Sequence, residues 1–160
     1  MSFVARLRPE LIAITPSWRG LRDTVRGLVG LLVQGGTVPA ASEAEAVRAV
    51  LAREAEGSTA VIDIGVGVPH ARLAGAGLRE TVVALGLSRA GLYEPVPAVV
   101  VPIVGLVLSP PEGIDDHLRT LAGIAMLLRS PVLREALLDA PDSRAALDAL
   151  ARHARSAPIA

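Results

Sequence analysis

The sequence predicts an α/β fold, a three-layer α/β/α sandwich with a mixed β-sheet. Apolar and β-branched stretches typical of strands lie near the start and in the middle of the chain. Amphipathic stretches with a helical repeat lie on both sides of the central strands. Aromatic residues make up only 2% of the chain, so the core must be built from Ala, Val, Leu and Ile packed between layers. We predict the element order β-α-α-β-β-β-α-α-α.

Length and composition limit the kind of protein. The 160 residues predict a single domain over residues 1–155 and a tail over residues 156–160. The 16 basic and 16 acidic residues give a net charge of zero, and no basic face is evident, so we expect no nucleic-acid binding. The sequence contains no cysteine, which excludes disulfides and cysteine-built metal sites.

The sequence also indicates a compartment. Residues 1–10 lack the apolar segment of a signal peptide. The longest apolar run, residues 98–108, is too short to span a bilayer. We therefore expect a cytoplasmic protein with no direct membrane insertion.

The first part of the chain contains one short strand and two helices. Residues 11–14 are predicted to form the strand. Apolar residues at helical spacing predict a helix over residues 18–34, which the glycine pair at 35–36 ends. A second helix is predicted to begin at Ser42, where Ser42 and Glu45 form a candidate capping box, and to end near residue 54.

The stretch from residue 57 to residue 72 (GSTAVIDIGVGVPHAR) contains candidate reactive residues. Its β-branched residues between 61 and 68 predict a strand, in which Gly65 and Gly67 indicate a bulge or a close backbone approach. Pro69 fixes its own backbone and restricts the residue before it, so the chain reaching His70 is stiff. A histidine held just after a buried strand suggests a nucleophile or a ligand.

The second half of the chain alternates strands, loops and helices. A strand is predicted over residues 81–87, a loop over 88–97, and a central strand over 98–108 with a bulge or break at Pro102. A helix over residues 114–129 carries His117 in its first turn, on or near the buried face. Two shorter helices follow, one from Ser130-Pro131 to residue 138 and one from residue 142 or 143 to about 152.

The histidines are the candidate reactive groups. His153 lies at the end of the last helix, where a cation complements the helix dipole, and we assign it no function. A strand end at His70 and a helix start at His117 can meet at one edge of the sheet. Arg53 adds a guanidinium suited to phosphate. Together these groups suit a site where one imidazole accepts a phosphoryl group while the other and the arginine hold its oxygens.

Other chemistries are weaker interpretations of the same residues. A metal site could use His70 and His117 with Asp115 or Asp116, although no metal-binding spacing supports it. Serine hydrolysis at Ser58 or Ser109 lacks the nucleophile-elbow pattern. The GVG at residues 65–67 is not a dinucleotide fingerprint, because a proline follows where a helix should begin.

The chain resembles the enzyme IIA components of the fructose/mannitol class of the bacterial phosphoenolpyruvate-dependent phosphotransferase system, including the nitrogen-regulatory branch. The resemblance covers about residues 5–150, so the single domain is expected to be enzyme IIA-like. Its most specific features are the GST at 57–59, the VPHAR at 68–72 and the HLRTLA at 117–122. Further matching segments are residues 52–54, 82–86, 106–108, 111 and 127–129.

The resemblance implies roles for four residues. His70 would be the phosphorylated histidine, His117 the second active-site histidine and Arg53 the phosphate-stabilising arginine, while Ser58 would shape the site. The implied partners are the histidine phosphocarrier protein as donor and a cysteine of enzyme IIB as acceptor, or else a regulated transporter or regulator. No cofactor is implied.

The chain departs from the family pattern close to the expected site. The family usually reads GSTGIGNGIAIPH, whereas this chain has one more residue between Thr59 and His70 and lacks the Gly-Asn element. Residues 93–97 replace the usual acidic, glycine-containing segment before the central strand. These changes motivate a second hypothesis, a regulatory module that keeps the fold and acts by contact without being phosphorylated.

Overall fold

A mixed five-stranded β-sheet lies at the centre of the computed structural model, which describes residues 2–156. β7 pairs antiparallel with β4 and parallel with both β2 and β3, and β1 pairs parallel with β4 at the edge. All residues of β4 and β7 are buried, as expected for strands covered on both faces. The five strands are β1 (Ile12–Ile14), β2 (Val66–Gly67), β3 (His70–Arg72), β4 (Val82–Leu87) and β7 (Ile103–Ser109).

Helices cover both faces of this sheet, which confirms the predicted α/β architecture. Gly86 packs against Leu28 of α1, whereas Gly105 packs against Ile124 of α3. Gly86 pairs with Val104 and Leu85 with Gly105, so the two glycines point to opposite faces. The helices are α1 (Gly20–Gln34), α2 (Glu43–Glu56), α3 (Ile114–Leu127), α4 (Pro131–Asp139) and α5 (Ser143–Ser156).

The predicted strand before His70 is wrong. Residues Ile62–Ile64 form a 3-10 helix, and Val61 and Ile62 are each 45% exposed. Gly65 closes this turn with a left-handed φ of 66°, and its N–H donates to the carbonyl of Ile62. The chain enters the sheet only at the two-residue β2, and His70 is the first residue of β3 rather than a residue after a strand. Turn geometry here overrides the β-propensity of the valines and isoleucines.

The break predicted at Pro102 is confirmed. Residues before it form β6 (Val99–Val101), which pairs with β5 (Tyr93–Val96) in a separate two-stranded sheet. Residues after it form the central strand β7. The loop predicted over 88–97 is therefore partly a strand. The described residues hold seven strands where four were predicted, and the order of the five helices is as predicted.

Helix ends test the predicted capping residues. Ser130 caps α4, since its Oγ accepts from the N–H of Leu133 at 3.2 Å. Ser42 forms no capping box: its backbone is already helical, and its hydroxyl donates to the carbonyl of Ala76 at 3.4 Å.

Ser156, the first residue of the predicted tail, ends α5, and residues 157–160 lie outside the described residues. Between residues 2 and 156 no helix combines the length and the apolar character needed to cross a membrane.

Candidate functional site

His70 is the first residue of β3, which pairs with the carboxyl-terminal half of β7, and it is partly buried beside Val107. Its Nδ1 lies 2.8 Å from the carbonyl oxygen of Val68. A carbonyl only accepts hydrogen bonds, so Nδ1 must carry the proton and donate it. Nε2 is therefore the unprotonated nitrogen of the neutral ring, with its lone pair available for attack.

His117 faces His70 from the first turn of α3. The two ring centroids are 5.3 Å apart, with the rings inclined at 63° in an edge-to-face arrangement. His117 and Ile124 are seven residues apart on the same helical stripe, and Ile124 packs on the sheet. His117 is only 4% exposed. The structure thus brings together the two histidines that the sequence singled out.

Two buried hydroxyl groups stand behind His117. Its Nδ1 lies 2.7 Å from Oγ of Ser109, and that Oγ lies 2.9 Å from Oγ1 of Thr81. Ser109 ends the central strand, and Thr81 directly precedes β4. Neither hydroxyl was predicted to contact His117, because the strand register that joins them cannot be read from local sequence.

Burial makes His117 a weak base. The pKa of His117 is lowered from its ordinary 6.5 to about 4, first by burial and then by electrostatic interaction with His70 and Arg72, while Asp116 opposes the shift. His117 is therefore neutral near pH 7 in the unmodified protein.

Arg72 is a further cation at the site that the sequence analysis did not single out. It lies two residues after His70 on β3, so both side chains leave the strand on the same face. Arg72 is exposed, its Nη1 lies 3.4 Å from the carbonyl oxygen of Pro111, and its charge acts on His117. The i, i+2 spacing from His70 is the sequence signal that could have identified it.

Arg53 and Ser58 lie in and after the last turn of α2, which packs against β3. Arg53 Nη1 donates to the carbonyl of Gly57 at 3.1 Å, and the exposed Ser58 accepts from the N–H of Ala60 at 3.1 Å. Within residues 2–156, neither side chain is hydrogen-bonded to a histidine.

A buried carboxylate fixes the loop that follows Arg53. Glu54 is 7% exposed and accepts hydrogen bonds from both the N–H and the hydroxyl of Thr59. This role of Glu54 was not predicted from the sequence. Arg53 and Ser58 thus flank a loop anchored by a charge-assisted contact, which limits where their polar groups can move.

The metal and serine-hydrolase interpretations find no support in this geometry. No group of three or more His, Cys, Asp or Glu side chains within residues 2–156 is arranged to hold a metal ion. Asp116 instead pairs with Arg6 at 2.9 Å. Ser109 is fully buried and engaged by two side chains, so no substrate can reach its hydroxyl.

Comparisons with known proteins point to one family. A family model for the phosphoenolpyruvate-dependent sugar phosphotransferase system, EIIA 2, matches residues 6–153. The chain is 29% identical over 143 residues to a PTS system fructose-specific EIIA component from Haloferax volcanii, covering 89% of this chain and 90% of that protein.

Solved structures share the fold. The nitrogen regulatory protein IIA-Ntr from Neisseria meningitidis superposes with a TM-score of 0.77 and 22% identity, covering 92% of this chain and 97% of that one. A complex of enzyme IIAMTL and phosphorylated enzyme IIBMTL from Escherichia coli contains a chain with a TM-score of 0.72 and 20% identity, covering 91% of this chain and 97% of that one.

Proposed function

Because the chain belongs to the EIIA 2 family of the phosphoenolpyruvate-dependent sugar phosphotransferase system, we propose that it is a phosphoryl carrier whose acceptor is His70. The observation that supports this most is the pair of imidazoles. One has a free Nε2 at a partly buried position, and the other lies 5.3 Å away and is neutral near pH 7. Such a pair supplies a nucleophile and a hydrogen-bond donor side by side.

The transfer uses the tautomer of His70 that the backbone imposes. The lone pair of Nε2 attacks the phosphorus of a phosphohistidine on the histidine phosphocarrier protein, and a new N–P bond forms. The donor's own N–P bond breaks, and its electron pair returns to the donor nitrogen. The proton stays on Nδ1 and keeps its hydrogen bond to the carbonyl of Val68 throughout. In the second half of the cycle, a cysteine thiolate of enzyme IIB attacks the phosphorus and an S–P bond forms. The N–P bond to His70 breaks, and its electron pair returns to Nε2.

Charge balance assigns roles to the neighbouring groups. His117 is neutral in the unmodified protein, so it contributes a hydrogen bond to the incoming phosphoryl oxygens rather than a positive charge. Two cationic groups can hold the phosphoryl oxygens. Arg72 is on the same strand as His70, and Arg53 is in the last turn of α2, where it contacts the loop that follows. Ser58 shapes that loop through its bond to Ala60.

The relatives support enzyme IIB as one proposed partner and leave two proposed pathways. The Escherichia coli structure pairs an enzyme IIA with a phosphorylated enzyme IIB, which supports enzyme IIB as the acceptor. The relatives include a fructose-specific component and a nitrogen regulatory protein, so the carrier serves sugar uptake or regulation. For either role we propose a cytoplasmic location.

The test is the intact mass of the protein after incubation with phosphoenolpyruvate, enzyme I and the phosphocarrier protein. We expect one acid-labile phosphoryl adduct, which is absent in His70→Ala. His117→Ala should slow adduct formation by about 10²- to 10³-fold, the usual effect of removing a donor to a developing charge. His153→Ala, which changes the histidine of α5, is the matched control and should behave as the wild type. An adduct that persists in His70→Ala would overturn the assignment.

One observation favours a second function. The segment that departs from the family pattern exposes Val61 and Ile62, each 45% accessible, before His70. Exposed apolar side chains such as Val61 and Ile62 suit contact with a protein partner. If donors that phosphorylate another acceptor give no adduct here, the protein is better described as a contact-signalling module of the same fold.

A further inference from the structure

The hydroxyl groups behind His117 form a short chain with a defined direction. Thr81, Ser109 and His117 are 1%, 0% and 4% exposed, so solvent does not supply their hydrogen bonds. The contacts between them are 2.9 Å from Thr81 to Ser109 and 2.7 Å from Ser109 to Nδ1 of His117. Both distances are those of well-formed hydrogen bonds.

The strand register puts the hydroxyls in one row. Val82 pairs with Leu108 across the β4–β7 ladder, so the preceding Thr81 lies opposite Ser109. Ser109 is four residues beyond Gly105 on β7, and residues at even spacing share a face. Because Gly105 packs against Ile124 of α3, the row lies on the face that α3 and His117 cover.

The number of available acceptors decides the direction of the hydrogen bonds that link Thr81, Ser109 and His117. If Nδ1 of His117 carried the proton, Ser109 would have to donate to Thr81. The hydroxyl proton of Thr81 would then be left without an acceptor, because Thr81 Oγ1 contacts only Ser109 among the described residues. In the opposite direction Thr81 donates to Ser109 and Ser109 donates to Nδ1, so each hydroxyl proton has a partner. A buried donor without an acceptor is costly, so the second direction is favoured.

We propose that Ser109, whose hydroxyl accepts from Thr81, is a positioning residue that keeps the proton of His117 on Nε2. This inference rests on the proposed function, because its consequence is a donor aimed at the phosphoryl group on His70. The two imidazoles then hold complementary tautomers. His70 donates through Nδ1 to Val68 and attacks with Nε2, whereas His117 accepts at Nδ1 and donates from Nε2.

Arg6 holds the far end of this arrangement in place. Its Nη1 donates to the backbone carbonyl of Thr81 at 2.6 Å, and its Nη2 donates to the carboxylate of Asp116 at 2.9 Å. Asp116 adjoins His117 in the first turn of α3. One guanidinium therefore fixes the spacing between the residue that starts the hydroxyl chain and the helical turn that carries the imidazole.

The direct test is the tautomer of His117, read from long-range ¹H–¹⁵N correlations of the histidine rings in the unphosphorylated, ¹⁵N-labelled protein at pH 7.5. We expect the proton on Nε2 in the wild type. Ser109→Ala should move the population toward Nδ1–H and slow phosphorylation of His70 by roughly tenfold, the value of one lost hydrogen bond. Ser109→Thr keeps a hydroxyl and should restore both readouts in large part.

Thr81→Val is the second variant, because it keeps the side-chain shape and removes the only other acceptor for the hydroxyl of Ser109. Ser109 can then donate only to Nδ1, so the proton of His117 should stay on Nε2 while thermal unfolding stays cooperative. Ser88→Ala, at another buried serine, is the matched control and should change neither the tautomer nor the rate.

The outcomes separate this inference from the proposed function. An Nδ1–H tautomer in the wild type or in Thr81→Val, or an unchanged tautomer and rate in Ser109→Ala, would overturn the inference even if His70 is phosphorylated. Complete failure of phosphorylation would overturn the carrier function. The tautomer, measured without any donor protein, would still show whether the hydroxyl chain orients the ring.

Discussion

His117 is a base held inside the fold, and its burial couples its protonation to folding. Its pKa of about 4 in the native state lies below the value near 6.5 of an exposed histidine. Between these two values the unfolded chain binds a proton that the native protein excludes. Stability is therefore complete above pH 6.5 and falls as the pH drops toward 4. Burial is the main cause of the lowered pKa, His70 and Arg72 on β3 add to it, and Asp116 on α3 opposes it.

We predict that acidification from pH 7.5 to pH 4.5 lowers the free energy of unfolding more in the wild type than in His117→Gln, by on the order of 3 kcal/mol. Urea unfolding at a series of pH values measures the difference. His153→Gln controls for the loss of a histidine elsewhere. Parallel pH profiles of the wild type and His117→Gln would show that His117 is not excluded from protonation.

The histidine pair could be predicted from the sequence, whereas its surroundings could not. His70 and His117 stand in segments with strong local signals, a proline-stiffened strand and a helix start. Ser109 and Thr81 meet only through the register of β4 on β7, and 28 positions of chain separate them. Arg72 was missed because its relation to His70 depends on that segment being a strand.

Individual elements are also locked together by small residues. A Cβ at Gly67 of β2 would overlap with the hydroxyl of Tyr93 on β5, so glycine allows the two strands to approach. That hydroxyl is buried and has no hydrogen-bond partner in residues 2–156. Burial and the charge of Glu54 raise the pKa of Tyr93.

We predict that Gly67→Ala destabilises the protein by about 1–3 kcal/mol through overpacking. Tyr93→Phe alone should cost little, because it removes a buried hydroxyl that makes no bond. In the Tyr93→Phe background the effect of Gly67→Ala should shrink, which a double-mutant cycle in urea measures.

Gly57→Ala is the matched control, since a Cβ there meets no atom within 4 Å. An equal cost of Gly67→Ala with and without the hydroxyl would show that another contact limits this position.

The elements that were predicted wrongly share a physical cause. Residues 61–68 have the composition of a strand, yet the left-handed Gly65 folds residues 61–65 into a turn, and only Val66 and Gly67 form a strand. Residues 93–96 lack an apolar run, yet they pair with β6. In both places the outcome depends on tertiary partners, which local propensity does not encode. The helices were predicted well because their amphipathic repeat is local.

At the scale of the whole molecule, we infer that residues 1–155 unfold as one unit. The single tryptophan, Trp18, packs against both Gly27 of α1 and Gly86 of β4. Its fluorescence therefore reports the docking of α1 on the sheet, whereas far-UV circular dichroism reports all helices.

We predict that the two signals give the same urea midpoint and the same slope, as a two-state domain requires. Gly27→Ala, whose methyl group would overlap with the indole ring, should lower both midpoints together. Separate midpoints for the two probes would show that the chain contains more than one cooperative unit.

Pro102 has a consequence for how this protein can diversify. The hairpin before it pairs within itself, and the strand after it forms the centre of the sheet. The hairpin is anchored by the buried Tyr93 and Val101, while Val96 and Val100 are each 43% exposed. The exposed residues of the hairpin can therefore be substituted during evolution, or the whole hairpin replaced, without changing the register of the central strands that position the histidines. New binding partners can be acquired there while the reaction chemistry is inherited unchanged.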